Sequence, residues 1–373
     1  MKNKIVIAPD SFKGSADAKK VADSLEKGIL SVSTNVEVIK IPIADGGEGT
    51  LSALVGDDSV CFAEVKGPSG QSVKAALGFL NDTAVVEMAQ AAGLTLVDEN
   101  HRSAKTATTY GVGQMITYAL DRGYRRFLLT AGGSATNDGG TGMFCALGCK
   151  FYRADGECFV PTGATLGDIE KIDVSELDGR LSECSFTVAT DVKNPLCGET
   201  GATYVYAPQK GADENDLALM EAGMKKYASL LNVLCGSDVA SIEGCGAGGG
   251  IATPLLAFCN AKIISGIEAV LETAHFKERL AGASYVLTGE GKIDVQSLYG
   301  KAISGVAKEA NRQNIPVICF VGCVGDDKEK LKELGVSDIF ATSDIAPSAE
   351  YSMTHAEELL QKLAKSWFAN CSE

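Results

Sequence analysis

Lys4-Ile-Val-Ile-Ala8 is a short, uninterrupted apolar run that breaks at Pro9 into the polar loop Asp10-Ser11-Phe12-Lys13-Gly14-Ser15. A run of that length without alternation suits a strand covered on both faces of a parallel sheet. Beyond the loop, Ala18, Val21, Ala22, Leu25 and Ile29 fall on one side of a helix, because residues three and four apart share a face. Val36-Glu-Val-Ile-Lys-Ile41 follows as a second strand. Strand, helix and strand in this order open a doubly wound parallel α/β sheet, whose ligands collect outside the carboxyl ends of its strands.

The loop at the end of that second strand, Ile41-Pro-Ile-Ala-Asp-Gly-Gly-Glu-Gly-Thr50, sets Asp45 and Glu48 among three glycines. Glycine lets a backbone approach a ligand closely, and packing has no need of carboxylates beside it. A solvated turn running into a helix start, where acids complement the dipole, is the plainer reading. A metal, a phosphate or a hydroxyl-bearing ligand is the sharper one.

The rhythm then changes. Residues 61–65, 73–80 and 83–89 read as strands joined by the short turns Gly67-Pro-Ser-Gly70 and Asn81-Asp82, a pattern of antiparallel pairing. Val112, Met115, Ile116, Ala119 and Leu120 mark an amphipathic helix. Strand 126–130 ends in Ala131-Gly-Gly-Ser-Ala-Thr-Asn-Asp-Gly-Gly140, and strand 185–190 in Asp191-Val-Lys-Asn-Pro-Leu-Cys-Gly198. Asp213 can cap a helix carrying Leu217, Met220 and Met224. After Gly244-Cys-Gly-Ala-Gly-Gly-Gly250 the α/β rhythm returns. Strand 284–287 leads into Thr288-Gly-Glu-Gly-Lys-Ile-Asp-Val-Gln-Ser297, then come a helix over 298–312, strands 317–321 and 339–341, and a closing helix over 356–367. Five strands therefore make one parallel sheet. The domain that holds it is discontinuous (1–58 and 241–373), with a mixed α/β domain (59–240) inserted between its second and third strands.

Length agrees, since 373 residues exceed one ordinary core. No apolar run approaches the ~18 residues of a membrane helix, and the start lacks the form of a signal peptide, so the chain reads as cytosolic. A net charge of −14 disfavours nucleic acid or an anionic membrane as partner. Twelve cysteines lie scattered in apolar segments, with no C-x-x-C and only three histidines. They read as buried hydrophobes rather than as a zinc site. The 42 glycines exceed the ~7% of average usage and cluster in loops.

Five polar, glycine-bearing loops at strand ends point to a shared active cleft. Neither a P-loop nor a G-x-S-x-G elbow occurs. Gly244-x-Gly246-x-x-Gly249 fits a dinucleotide fingerprint, but Val239-Ala-Ser-Ile-Glu243 before it makes a poor strand. An NAD-dependent hydroxy-acid dehydrogenase and a non-catalytic small-molecule sensor stand as alternatives. Phosphoryl transfer fits the remaining chemistry, which needs positioning, cations, carboxylates for Mg²⁺ and a base for the acceptor hydroxyl. Lys13, Lys193, Lys210, Lys292 and Lys301 are candidate cations. Asp45, Glu48, Asp191, Glu290 and Asp294 are candidates for metal or base work. Ser134, Thr136, Asn137 and Asn194 could equally be cap and turn residues.

Six stretches resemble the signatures of the type I glycerate kinases: Ala8-Pro-Asp-Ser-Phe-Lys-Gly14, Pro42 to Thr50, Gly132 to Gly140, Ala189-Thr-Asp-Val-Lys-Asn-Pro-Leu196, Pro208-Gln-Lys-Gly-Ala212 and Thr288 to Ser297. The resemblance implies ATP-dependent phosphorylation of D-glycerate to 2-phosphoglycerate, assisted by Mg²⁺. It also implies a flavodoxin-like domain and an inserted domain, with the site in the cleft between them. By motif position it puts Asp191 and Asp294 near the transferred phosphoryl, as base or metal ligand, with Asp45 a third metal candidate. Ser11 and Lys13 would hold phosphates or the glycerate carboxylate. Glu48, Ser134, Thr136, Asn137, Asn194, Lys210, Glu290, Gln296 and Ser297 complete the expected substrate and phosphate contacts.

Overall fold

The structure is a computed structural model that describes residues 3–44, 46–47, 49–56, 59–293, 302–325 and 332–371. By contacts the chain divides into two compact units. One comprises Met1–Asp45, Ser52–Leu54 and Gly266–Glu373, the other Gly46–Leu51 and Val55–Ser265.

The first unit is built on a five-stranded sheet. Its strand order is Val336–Ala341, Val317–Val321, Tyr285–Thr288, Asn3–Ile7, Val36–Lys40, and every pairing is parallel. All five residues of Val317–Val321 are buried, as are Ile5, Val6 and Ile7. Their unbroken apolarity is what a central parallel strand covered on both faces requires. Helix Ala18–Leu30 starts where the Asp17 carboxylate accepts the Lys20 N–H at 2.8 Å. It buries Val21, Ala22, Leu25 and Ile29 and packs along helix Ala356–Cys371. Gly28 makes that approach close, since a Cβ there would stand 2.5 Å from the Gln361 carbonyl oxygen. Trp367 closes the core, with its ring edge against Tyr285 and Phe320.

The second unit carries a six-stranded sheet. Lys262–Ile264, Ser185–Ala189, Arg126–Thr130 and Thr83–Glu87 run parallel, while Ser72–Leu80 and Val60–Lys66 add antiparallel pairs at one edge. The hairpin turn works because Asn81 takes a left-handed conformation (φ 55°) between paired Leu80 and Thr83. Helix Glu214–Cys235 opens on a full capping box between Asp213 and Asp216. A three-stranded sheet of Lys150–Tyr152, Cys158–Phe159 and Lys171–Asp173 has no counterpart in the sequence reading, because two- and three-residue strands show no periodicity.

Two features differ from expectation. The contact division returns to the first unit at Gly266, not at 241, because Lys262–Ile264 pairs in parallel with Ser185–Ala189 of the second sheet. Residues 46–51 likewise group with the second unit, where the Leu51 N–H donates to the buried Glu87 carboxylate at 2.8 Å. Of the twelve cysteines, four are buried, six half-buried, and Cys158 and Cys371 exposed, all unpaired. No helix among the described residues is long and apolar enough to cross a membrane.

Candidate functional site

In the first unit, three strand ends are tied to one another. The Asp10 N–H donates to the Gly289 carbonyl at 2.8 Å, and the Thr288 hydroxyl donates to the Ala8 carbonyl at 2.8 Å. Across the sheet, the Gly322 N–H reaches the Glu290 carbonyl at 3.2 Å, and Cys323 reaches Gly291 at 3.1 Å. A side chain at Gly289 would overlap the Phe320 carbonyl, so only glycine permits this approach. These loops line a cavity of about 420 Å³ that includes Ser11, Lys13, Glu290, Lys292, Ser343 and Ser352, with Phe12 and Met353 as apolar wall. The Ser15 hydroxyl anchors one side on the Met353 carbonyl. Thr342 anchors another, through the Gly322 carbonyl at 3.0 Å and the Ser352 hydroxyl at 2.7 Å.

The second unit has its own strand-end cavity, of about 160 Å³, lined in part by Gly133, Ser134, Thr190, Tyr206, Lys210 and Gly248. Lys210 is 2% exposed. Its ammonium reaches the Ser134 hydroxyl at 2.7 Å and the Thr136 carbonyl at 2.8 Å. Burial pushes Lys210 down to about 7, partly opposed by the charge of Asp138. Asp138 is also fully buried, accepting from the Thr109 N–H and hydroxyl at 2.8 Å each and from the N–H groups of Gly140 and Gly142. Burial raises its pKa against those four donors. Asp138 thus pins the start of helix Thr141–Ala146 and holds the glycine loop in shape. Beside it, Thr136 Oγ1 and Asn137 Oδ1 are buried without a hydrogen-bond partner among the described residues, a cost that native chains seldom leave unexplained.

The expected residues fall into two groups. Ser11, Lys13 and Glu290 share the larger cavity, whereas Ser134 and Lys210 share the smaller, with Thr136 and Asn137 buried next to them. Asp191 is exposed, between the cavity-lining Thr190 and Val192. Asn194 organises its own loop: its amide donates to the Thr200 carbonyl at 2.7 Å and accepts from the Tyr206 hydroxyl at 2.8 Å. Asp45, Glu48, Asp294, Gln296, Ser297 and Lys301 lie outside the described residues.

The fingerprint glycines serve packing. Side chains at Gly246 and Gly249 would overlap the Pro195 and Thr136 carbonyls, and residues 239–243 form no strand. Gly322, Ser343, Ser352, Tyr206, Gln209 and Gly248 were not anticipated. Gly322 directly follows strand Val317–Val321, and Ser343 lies two residues beyond the end of strand Val336–Ala341, so the strand-end rule already pointed at them.

The glycerate kinase family model matches residues 5–372. A glycerate kinase of Halalkalibacterium halodurans is 42% identical over 369 residues, covering 97% of both chains. A glycerate 2-kinase of Escherichia coli is 40% identical over 342 residues, covering 91% of this chain and 90% of its own. A solved structure from Salmonella typhimurium, provisionally designated glycerate kinase 2, superposes with a TM-score of 0.89 at 38% identity, covering 100% of this chain and 99% of that one. The chain therefore belongs to the glycerate kinase family and is a kinase.

Proposed function

We propose that this chain transfers the γ-phosphoryl group of ATP to the 2-hydroxyl of D-glycerate, as a cytosolic enzyme assisted by Mg²⁺. The observation that carries the reading is a family match over residues 5–372, joined to relatives of that name at about 40% identity over nine-tenths of both chains. Two strand-end cavities rich in hydroxyls, glycines and lysines suit it, because phosphoryl transfer asks for positioning and charge neutralisation more than for a covalent nucleophile.

Asp191 is the metal candidate among the described residues, and its carboxylate oxygens are the hard donors that Mg²⁺ prefers. Mg²⁺ in kinases is commonly bound by one or two carboxylates together with the substrate phosphates. Bound there, Mg²⁺ would neutralise charge on the phosphates. The protein's own steps are to orient the acid, take the proton of its reacting hydroxyl at Asp191 or Asp294, and exclude water. Ser11 and Lys13 would hold phosphate oxygens. The sequence expectation of a cleft served by both domains belongs to this proposal as well.

A coupled ADP-release assay with D-glycerate, ATP and Mg²⁺ tests the reaction, and ³¹P NMR of the product identifies the phosphorylated hydroxyl. No glycerate-dependent ADP release would sink the reading; 3-phosphoglycerate as product would overturn the assignment of the 2-position.

A further inference from the structure

The two cavities differ in what they can hold. At about 420 Å³ the first lies within the ~300–1,000 Å³ of sites for larger organic ligands, whereas about 160 Å³ falls below that range. A nucleotide exceeds the smaller space, and a three-carbon acid does not. Lys210 is buried in the wall of the smaller one. It forms no ion pair with a carboxylate among the described residues, and its two neighbours, the Ser134 hydroxyl and the Thr136 carbonyl, are neutral. A buried cation without a counter-charge is expensive, and a lysine so placed gives up its proton or acquires an anion. Asp138, the acid that acts on it, is already engaged by four donors. Tyr206 lines the same space, as do Thr190 and Val192, the chain neighbours of the exposed Asp191. The Ser134 hydroxyl accepts from an ammonium or donates to a neutral amine, so the site accommodates both forms of Lys210.

We infer that the small cavity of the second unit receives the carboxylate of the acceptor acid, and that Lys210 becomes its counter-ion by taking up one proton as the acid binds. The inference rests on the glycerate kinase reading above and assigns that reading's acceptor to one place. The balance is simple: the amine of Lys210, one proton from solvent and the carboxylate combine to an ammonium–carboxylate pair, and no covalent bond changes. Because burial holds Lys210 near 7 in the empty protein, uptake approaches one proton per acid at pH 8 and falls toward none at pH 6, where the lysine is already charged.

Calorimetric titration of the wild-type chain with D-glycerate, at pH 6 and pH 8 in buffers of different ionisation enthalpy, measures that proton count. An uptake near one at pH 8 that shrinks at pH 6 supports the assignment; binding with no uptake at pH 8 overturns it, even where turnover persists and the kinase reading stands. Lys210→Met supplies the second arm. It is expected to raise KM for D-glycerate on the order of 30-fold or more, as losing one member of a buried charge pair does, with KM for ATP unchanged and proton uptake abolished. A rise confined to KM for ATP overturns the assignment. The wild-type proton count decides the matter on its own where the variant fails to fold.

Discussion

Lys210 also makes a prediction about the protein without ligand. In the unfolded chain a lysine keeps its proton to ~10.4, whereas in the folded chain burial lets it go at about 7. Between those values the unfolded state holds the extra proton, so stability rises with pH, by at most about 1.4 kcal/mol per pH unit. Below 7 both states are protonated and the slope disappears. Integrated from pH 6 to pH 8.5, one such group contributes about 2 kcal/mol of added stability. Lys210→Met carries no proton in either state and lacks that increment, while Asp138 and every other titrating group remain common to both proteins. Urea unfolding of the ligand-free wild type and variant, under reducing conditions at half-unit steps of pH, gives the two profiles. Their difference should be flat near pH 6 and climb in the wild type's favour above 7. Parallel profiles across the whole range would mean that Lys210 keeps its proton in the folded chain, and would refute the argument from burial.

Three further substitutions probe other links. Asp191→Asn should lower kcat by more than ~10²-fold, as loss of a base or metal ligand does; near-normal turnover would remove Asp191 from the machinery. Gly28→Ala ordinarily favours a helix, yet here the new methyl would meet the Gln361 carbonyl at 2.5 Å and the Ala364 methyl at 2.8 Å. It should cost about 1–3 kcal/mol by urea unfolding, and a gain in stability would contradict the packing described. Asp213→Ala removes the capping box of helix Glu214–Cys235 and should cost about 1 kcal/mol, read as a lowered thermal midpoint.

The sequence by itself determined the architecture of the first sheet. Unbroken apolar runs such as Ile5 to Ala8 and Val317 to Val321 admit few partners other than strands on both sides, and all five expected strands pair in parallel. It also marked the strand ends that carry polar loops, because Ser, Lys and Glu clustered among glycines depart from the apolar composition of the strands before them. Only the tertiary structure decided which loops share a cavity. Ser11, Lys13 and Glu290 meet because Asn3–Ile7 and Tyr285–Thr288 are sheet neighbours, although some 280 residues separate them in the chain. The same holds for Lys210, which reads locally as a turn lysine before glycine. It becomes a buried group near neutrality only when its loop folds onto Ser134 and Thr136, 76 and 74 positions away. Burial and the field of neighbouring charges are properties of the assembled chain. No local pattern encodes them, and they turn this ordinary lysine into the residue most worth testing.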